Sequence, residues 1–201
     1  MSRVSRRGPA ASMRLGMFGG AFNPVHLGHL LLAETARETL RLDRVVFIPT
    51  HHPPHKPAPD LLPGAVRLQL LRLALHDHPA FVASDIELQR PGVSYSLETV
   101  RLLRAEVPQA KLFLLMGQDM LRVPWKGWGE LQRLCTVVVA CRSGETKKRR
   151  ARGVQWLEMP RVDIASSEIR RRVRTGRSLR YLVPPAVSRY IAQHHLYVRD
   201  A

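Results

Sequence analysis

Residues 14–30, RLGMFGGAFNPVHLGHL, contain in succession a strand signal, a turn signal and the start of a helix. The first five residues form an apolar run of the kind found in buried strands. Gly19 and Gly20 follow this run, and glycine permits both a tight turn and a close approach of the backbone to a ligand. Helical spacing of apolar residues begins near Leu27 or Gly28. These residues therefore predict a junction between a buried strand and a helix.

Two histidines mark the predicted start of this helix. His26 and His29 are three residues apart, so their side chains project to neighbouring positions. A helix N-terminus offers free N–H groups and the positive end of the helix dipole, and imidazoles can donate hydrogen bonds to phosphoryl oxygens. We interpret the junction as a phosphate-binding site, and the alternative is an ordinary turn followed by surface histidines. The spacing matches neither GxxxxGK[ST] nor GxGxxG, which argues against a Walker-type ATPase and an ordinary dinucleotide-binding turn.

Six short apolar runs alternate along the chain with segments of helical spacing, as in a parallel sheet whose strands are buried on both faces. We predict strands at residues 14–18, 44–49, 81–88, 111–117, 136–141 and 154–159. We predict helices at residues 28–41, 64–76 and 96–106. The alternation predicts an α/β fold: a doubly wound, Rossmann-like parallel sheet with helices on both faces and a small C-terminal helical part at about 164–201.

Four segments directly follow predicted strands, and we expect them to meet at one edge of the sheet. In open α/β sheets, ligands bind beyond the carboxyl ends of the strands. The segments are residues 19–29, 50–56, 117–119 and 160–170. The proline-rich loop at 50–63 is long, which predicts a functional lid or a mobile connector.

The chain has 201 residues and a formal net charge of +16. The excess is mostly arginine and is dispersed, and the one dense run, KKRRAR at 147–152, contains no aromatic residues. A nucleic-acid-binding module is therefore a disfavoured interpretation. Two alternatives stay open, namely attraction of small polyanions such as nucleotides and a solvated arginine-rich surface without such a role.

Residues 1–12 are basic but lead into no long apolar segment, so we predict a disordered tail rather than a signal peptide, followed by one domain over 13–201. No apolar run is long enough to span a bilayer, so we expect no membrane partner. Cys135 and Cys141 would lie about 20 Å apart along one predicted strand, which is too far for a disulfide. These features predict a cytoplasmic protein.

The pattern GGxFxPxHxGH, present at residues 19–29 as GGAFNPVHLGH, resembles the signature of the nucleotidyltransferase superfamily with the HxGH motif. The second element of that signature is a serine- or threonine-rich turn followed by isoleucine and arginine, and IASSEIRRRV at residues 164–173 resembles it. We expect Ser166 or Ser167 to cap a helix there. Arg170, in the first turn of that helix, would offer a planar bidentate donor to phosphate.

Within the superfamily the chain most resembles nicotinate-nucleotide adenylyltransferase, over almost its whole length from Arg14. Further matching segments are PPHK at 53–56, GVSYSLETV at 92–100, MGQDM at 116–120, WKGW at 125–128 and YLVPPAVSRYIAQHHLY at 181–197. The chain departs from the family pattern at Ala165, where a serine is usual. It also departs at Asn23, where many members have aspartate, and we expect little loss there because both residues adopt turn conformations.

The resemblance implies transfer of AMP from ATP to nicotinate mononucleotide, with release of pyrophosphate and with Mg²⁺ as cofactor. The implied catalytic residues are His26, His29, Lys56 and Arg170. The implied ATP contacts are Gly19, Gly20, Phe22, His26, His29, Gly117, Asp119, Ser166, Ser167 and Arg170. The implied contacts to the mononucleotide are Lys56, Tyr95, Ser96, Thr99 and Trp125. A homo-oligomer is possible, and a relative that acts on phosphopantetheine is the alternative enzyme.

Several of these residues have a plain structural alternative. Asp119 would bind a ribose hydroxyl, or cap a helix, or do both. Trp125 would present a flat face to the pyridine ring, or pack against a helix. The residues around Tyr95 would hold the nicotinate carboxylate at a helix N-terminus, or form a simple serine/threonine cap. His51, His52 and His55 could in principle bind zinc, but the prolines between them keep the loop extended, so we predict no metal-binding side chains.

Overall fold

The computed structural model describes residues 12–53, 60–142 and 152–198. The described strands are β1 (Arg14–Gly20), β2 (Arg44–Pro49), β3 (Phe81–Ala83), β4 (Lys111–Gly117), β5 (Thr136–Arg142) and β6 (Gln155–Met159). The described α-helices are α1 (Leu27–Thr39), α2 (Gly64–Leu75), α3 (Ser96–Glu106), α4 (Trp128–Leu134), α5 (Ser166–Arg174) and α6 (Pro185–Gln193). A 3₁₀ helix covers Gln118–Arg122. None of the helices in these ranges combines the length and the apolar character needed to cross a bilayer.

Some of the predictions concern residues that the structure does not describe. The basic tail, except Ser12, lies outside the described residues, and so do His55 and Lys56. The same is true of the KKRRAR run except for its last residue, Arg152. The expectations for these residues stay predictions.

The strands form one parallel sheet in the order β3-β2-β1-β4-β5-β6. Strand β1 lies between β2 and β4, and the chain first extends the sheet on one side of β1 and then on the other. This order is that of the doubly wound dinucleotide-binding fold, in which ligands bind at the point where the strand order reverses. The predicted Rossmann-like fold is therefore confirmed, and the ends of β1 and β4 mark the place where a ligand is expected.

Helices cover both faces of the sheet because successive side chains of each buried strand point to opposite faces. Phe18 and Leu115 belong to the core under α1, α2, α5 and α6. Met17 and Leu114, their neighbours in sequence, belong to the core under α3 and α4. The apolar character of both alternating sets explains why the strands lack a polar face.

The predicted strand at 81–88 is too long, since β3 ends at Ala83. Ser84 then accepts a hydrogen bond through its Oγ from the Ile86 N–H group at 3.3 Å. Local bonds of this kind compete with strand pairing and favour a turn. The following turn carries Glu87 into the interior, where only 4% of the residue is exposed.

Helix α1 begins at Leu27, as predicted. The buried residues of α1 are Leu32, Ala33 and Ala36. The small alanines allow close packing of the helix on the sheet. The helix ends at Thr39, two residues before the predicted end, and Arg41 then adopts a positive φ of 48°.

Both cysteines are buried. Cys135 lies at the C-terminal end of α4, directly before β5, so the prediction that both cysteines lie on one strand is wrong. Burial raises the pKa of the Cys135 thiol to about 11. The thiol of Cys135 is therefore protonated and unreactive near neutral pH.

Candidate active site

The turn after β1 is not made by the two glycines, as the sequence predicts, but by the residues that follow them. Gly19 and Gly20 both lie within β1, and the residue in the left-handed region is Phe22, with a φ of 44°. The Phe22 ring is buried and contacts the ring of His29 at a centroid distance of 5.0 Å. A Cβ atom on Gly20 would come within 3.2 Å of the Phe22 ring, whereas one on Gly19 would meet open space. The buried Phe22 ring therefore packs against the His29 ring. Because the Phe22 side chain is buried, a nucleotide could contact only the backbone of Phe22.

His26 and His29 stack on each other at the start of α1. Their ring centroids are 3.6 Å apart and the ring planes differ by 25°. His26 is the N-cap residue, and its backbone N–H group donates a hydrogen bond to Nδ1 of His29 at 3.2 Å. A neutral imidazole that accepts through Nδ1 carries its proton on Nε2. His29 therefore has an Nε2–H group available as a donor to an anion.

Burial keeps both imidazoles neutral near neutral pH. Desolvation lowers the pKa of His26 from 6.5 to about 4. Desolvation, and to a smaller extent the neighbouring His26, lowers the pKa of His29 well below its usual range. The Nδ1 atom of His26 is buried and has no hydrogen-bond partner among the described residues. Two neutral rings can approach each other and a polyphosphate without the repulsion that two imidazolium ions would feel.

The free energy of unfolding is expected to fall as the pH is lowered from about 7 to 4. Unfolded His26 binds a proton with a pKa near 6.5, whereas folded His26 does so only near 4, so acid favours the unfolded chain. The shift corresponds to at most about 3 kcal/mol. Urea unfolding at several pH values should show a shallower dependence in His26→Asn than in the wild type. His76→Asn, which replaces an exposed histidine, is the control. An equal dependence of the free energy of unfolding on pH in His26→Asn and wild type would contradict the prediction.

Helix α5 packs its first turns against the loop that precedes the two histidines. The Ser166 hydroxyl donates to the Pro24 carbonyl at 2.9 Å, and Nη1 of Arg170 donates to the Asn23 carbonyl at 2.9 Å. The Nε atom of Arg170 is buried without a hydrogen-bond partner in the described part of the chain, and it lies 3.9 Å from Oδ2 of Asp60. The structure thus brings Arg170 to the β1–α1 junction, as the HxGH interpretation expects.

The predicted cap of α5 is wrong, because the N-cap residue is Ala165 and it makes no side-chain cap. Ser166 and Ser167 occupy the first two helical positions, and Arg170 lies in the second turn instead of the first. The hydroxyl of Ser166 forms a tertiary hydrogen bond to the loop after β1 in place of a cap. Ser167 remains exposed at the helix start, where an anion could be bound.

The side chain of Asn23 links the loop after β1 to residues 60–62 and to Tyr197. Its Nδ2 group donates to the Asp60 carbonyl at 2.7 Å. Its Oδ1 atom accepts from the Leu62 N–H group at 3.3 Å and from the Tyr197 hydroxyl at 2.9 Å. A carboxylate could replace the acceptor but not the donor. Asparagine and aspartate are therefore not equivalent at position 23, contrary to the expectation that they differ little.

A second group of predicted residues lies around the start of α3. Tyr95 is the N-cap of α3, and Ser96 is the first helical residue. The preceding Ser94 accepts a hydrogen bond through Oγ from the His51 N–H group at 3.0 Å, which fixes the end of β2 beside this helix start. Lys126 places its Nζ atom 4.4 Å from the centroid of the Tyr95 ring. A lysine therefore lies beside the residue that begins α3.

Thr99 has a different environment from the one expected for a substrate contact. Its hydroxyl is completely buried, donates to Oε1 of Glu87 at 2.8 Å and accepts from Nη2 of Arg90 at 2.7 Å. Burial raises the pKa of Glu87 despite the opposing hydrogen bonds from Thr99 and Ser94. Thr99 thus belongs to a buried polar network that supports the start of α3, and the sequence interpretation missed Glu87 altogether.

Trp125 and Asp119 come after β4, the strand that pairs with β1. Trp125 is half-buried, and its Nε1 group donates to the Met120 carbonyl at 2.8 Å, so the indole orientation is fixed. Asp119 is exposed in the 3₁₀ helix, whose N-cap is Gly117, so the helix-cap alternative for Asp119 is wrong. A Cβ atom on Gly117 would lie 2.6 Å from Oδ1 of Asp119. Glycine at 117 therefore allows the carboxylate to lie close to the strand end.

The sequence interpretation also missed Arg67, which lies on the buried face of α2. Its guanidinium is 1% exposed and hydrogen-bonds to backbone carbonyls near the ends of β1 and β2. The signal was present in GAVRLQLLRLAL, where an arginine shares the buried register of Leu70 and Leu71. An arginine at an apolar helix position requires internal hydrogen-bond acceptors, which indicates a specific role.

The chain is similar to known nucleotidyltransferases in sequence. The Cytidylyltransferase-like family matches residues 17–172. A Thermus thermophilus protein named "Probable nicotinate-nucleotide adenylyltransferase" is 44% identical over 187 residues, which cover 92% of this chain and 100% of that protein. A Symbiobacterium thermophilum protein of the same name is 40% identical over 199 residues, which cover 92% of this chain and 96% of that protein.

Solved structures share the fold. Plasmodium falciparum nicotinic acid mononucleotide adenylyltransferase complexed with NaAD superposes with a TM-score of 0.76 at 13% identity, covering 92% of this chain and 97% of that chain. The same protein complexed with APC gives a TM-score of 0.73 at 12% identity. With a family match over most of its length and relatives of 40% identity or more over 92% of its residues, the chain belongs to the nicotinate-nucleotide adenylyltransferases of the Cytidylyltransferase-like family.

Proposed function

We propose that this chain transfers the AMP moiety of ATP to nicotinate mononucleotide, forming nicotinate adenine dinucleotide and pyrophosphate in NAD biosynthesis. The observation that carries the proposal is the contact of α5 with the β1–α1 loop. Through it Arg170, distant in sequence, reaches the loop that positions His26 and His29. A guanidinium, two imidazoles and the N-terminus of α1 thus come to the same loop at the carboxyl edge of the sheet, and donors of these kinds are suited to binding an anion.

The reaction needs positioning and charge stabilisation more than proton transfer. The 5′-phosphate of the mononucleotide is already an anion, so its oxygen can attack the α-phosphorus of ATP without a base. One P–O bond forms, the bond to the bridging oxygen of the leaving pyrophosphate breaks, and no proton moves at the reacting atoms. Catalysis then consists of in-line alignment and stabilisation of charge on the phosphoryl oxygens.

The ATP half of the site supplies hydrogen-bond donors. The Nε2–H group of His29 and the ring of His26 would contact phosphoryl oxygens, and Arg170 would stabilise the charge of the triphosphate and of the leaving group. A Cβ atom on Gly19 would have no neighbour within 4 Å, and without that atom the backbone can approach the nucleotide closely. Asp119 would accept hydrogen bonds from the ribose. The binding of a polyanion raises the pKa of nearby imidazoles, and His26, whose Nδ1 atom has no hydrogen-bond partner among the described residues, is the ring that could become charged once ATP is bound.

The mononucleotide half lies at the start of α3 and around Trp125. The backbone N–H groups near Tyr95 and Ser96 would bind the nicotinate carboxylate. The fixed indole of Trp125 would stack on the pyridine ring. Lys56 would contact a phosphate from the loop between β2 and α2. Thr99 would act indirectly, by fixing the helix start through its buried hydroxyl.

Mg²⁺ fits this site as a companion of ATP. Across the described ranges, no group of three or more His, Cys, Asp or Glu side chains could hold a metal ion. Mg²⁺ prefers oxygen ligands and keeps several of its waters. It would therefore be held by the phosphate oxygens of ATP and would supply charge neutralisation there, and His26, His29 and Arg170 would bind other phosphate oxygens.

Substrate preference tests the proposed function. We expect kcat/KM for nicotinate mononucleotide to exceed that for its amide by about 10–100-fold, because a carboxylate gains charge-assisted hydrogen bonds that the amide lacks. Pyrophosphate release with ATP and Mg²⁺ measures both values, and chromatography identifies the dinucleotide. Phosphopantetheine serves as the third acceptor. Turnover with phosphopantetheine alone would contradict the assignment.

A further inference from the structure

Arg67 connects three segments that are far apart in the chain. Its Nη1 group donates to the Ala21 carbonyl at 2.8 Å, its Nη2 group to the Thr50 carbonyl at 2.7 Å and its Nε group to the Leu62 carbonyl at 2.8 Å. Ala21 is the first residue after β1, and Thr50 is the first residue after β2. Leu62 lies two residues before α2. One guanidinium therefore joins the loop after β1 to both ends of the connection between β2 and α2.

The contacts of Arg67 begin where the β1–β2 ladder ends. The Thr50 N–H group donates to the Gly20 carbonyl at 2.9 Å, next to the last register pair of the two strands. The next carbonyls, those of Ala21 and Thr50, both accept from Arg67. The planar fork of the guanidinium thus fixes how the two loops leave the sheet.

These two loops lead to different halves of the proposed site. The loop after Ala21 reaches His26 within five residues. The segment after Thr50 continues to His51, whose N–H group donates to Ser94 beside the start of α3. Arg67 therefore hydrogen-bonds to the backbone that leads to both halves of the site. It is not itself assigned as a contact of ATP or of the mononucleotide.

The guanidinium is buried as a cation, and its acceptors among the described residues are carbonyl oxygens and not a carboxylate. Burial lowers the pKa of Arg67, and the charges of Tyr197 and Glu87 oppose this effect. Arginine nevertheless stays protonated near neutral pH. A buried charge without a direct ion pair costs more than a well-packed apolar side chain of similar size. An apolar residue would fill the space, so the hydrogen-bonding geometry is what distinguishes arginine here.

We propose that Arg67 is a positioning residue for adenylyl transfer, which holds the ATP half and the mononucleotide half of the site at a fixed separation so that the attacking phosphate is in line with the α-phosphorus. The proposal rests on the proposed function, because it concerns the alignment of those two substrates. A misplacement of about 1 Å can cost about a hundredfold in rate. The loss on mutation should therefore appear in kcat, and not in the binding of either nucleotide alone.

The test compares Arg67→Lys and Arg67→Met with wild type and with Arg72→Met. Arg72 is an exposed arginine of the same helix and is the matched control. Lysine keeps the charge but cannot reproduce the three-way fork, and methionine keeps only the bulk. Calorimetry gives the Kd of each nucleotide separately, and kcat is measured at a temperature where circular dichroism shows every variant to be folded. Amide hydrogen exchange at residues 21–26 and 50–53 reports the two loops without relying on activity.

We expect kcat to fall by about 10–100-fold in both Arg67 variants while each Kd changes by less than about threefold. Exchange should become faster in both loops together, and Arg72→Met should behave as wild type. If Arg67→Met does not fold, Arg67→Lys alone decides the outcome. A wild-type kcat in folded Arg67→Lys, or a rate loss fully matched by weaker binding of one nucleotide, would overturn the proposal.

The two proposals fail in different ways. If the wild type forms no nicotinate adenine dinucleotide, the proposed function fails. If the wild type forms it and Arg67→Lys forms it equally fast, only the positioning role of Arg67 fails.

Discussion

Replacing His29 by alanine is expected to lower kcat by about a thousandfold, because it removes a preorganised N–H donor from the transferring phosphoryl group. The donor is preorganised by two contacts that the structure shows. The His26 N–H group occupies Nδ1 of His29 and leaves Nε2–H for the substrate, and the Phe22 ring supports the imidazole from one side. Steady-state assays of dinucleotide formation at saturating substrates measure the loss.

The fold should survive the His29 replacement, because the residue lies at the first turn of α1 and not among the fully buried side chains of the core. Circular dichroism and thermal unfolding check this point. His76→Ala is the matched control, since that side chain is 83% exposed and lies at the end of α2. Turnover within a few-fold of wild type in folded His29→Ala would remove this histidine from the mechanism.

Replacing Arg170 by alanine is the second change with a large expected effect, a fall in kcat/KM for ATP of about 10²–10³-fold. The guanidinium donates one hydrogen bond to the Asn23 carbonyl, and within the described part of the chain its Nε group has no hydrogen-bond partner and only a 3.9 Å ion pair with Asp60, so donors remain for a phosphate. Arg170→Lys should recover only part of the loss, because an ammonium group lacks the planar fork. Initial rates over a range of ATP concentrations separate KM from kcat.

Arg171 provides a stringent control for Arg170. It is the next residue of the same helix, it is about half exposed, and it forms an ion pair with Glu168 at 2.7 Å. Arg171→Ala should leave kcat/KM for ATP near wild type, since an exposed ion pair contributes little. Equal losses in Arg170→Ala and Arg171→Ala would indicate a general effect of surface charge instead of a specific contact.

The sheet could be predicted well where the strands are buried on both faces. The bounds of β2 and β4 agree with the apolar runs at 44–49 and 111–117, since continuous apolar residues leave few alternatives. The prediction failed at β3, a short edge strand where Ser84 starts a turn within an apolar-looking run. Local side-chain hydrogen bonds decide such cases, and a hydrophobic pattern does not contain them.

The family and the chemistry of the site could be inferred from two short motifs, and the sequence comparisons confirm the family. The way the site is supported could not be inferred. The sequence predicts Ser166 or Ser167 as the cap of α5, yet the Ser166 hydroxyl donates to the carbonyl of Pro24, which lies 142 positions away in the chain. Arg67 was overlooked because its acceptors belong to three loops, and loop positions do not follow from periodicity.

The hydrogen bond between the Tyr197 hydroxyl and Asn23 spans 174 positions of the chain and completes the support of the first loop. During synthesis on the ribosome, the sheet and both histidines emerge long before this tyrosine. A polypeptide that terminates before Tyr197 would therefore contain the HxGH motif and the six described strands, but the loop after β1 would lack this hydrogen bond. A truncation just before Tyr197 leaves GGAFNPVHLGH and IASSEIRRRV intact, yet it is still expected to weaken catalysis because the loop after β1 loses this contact.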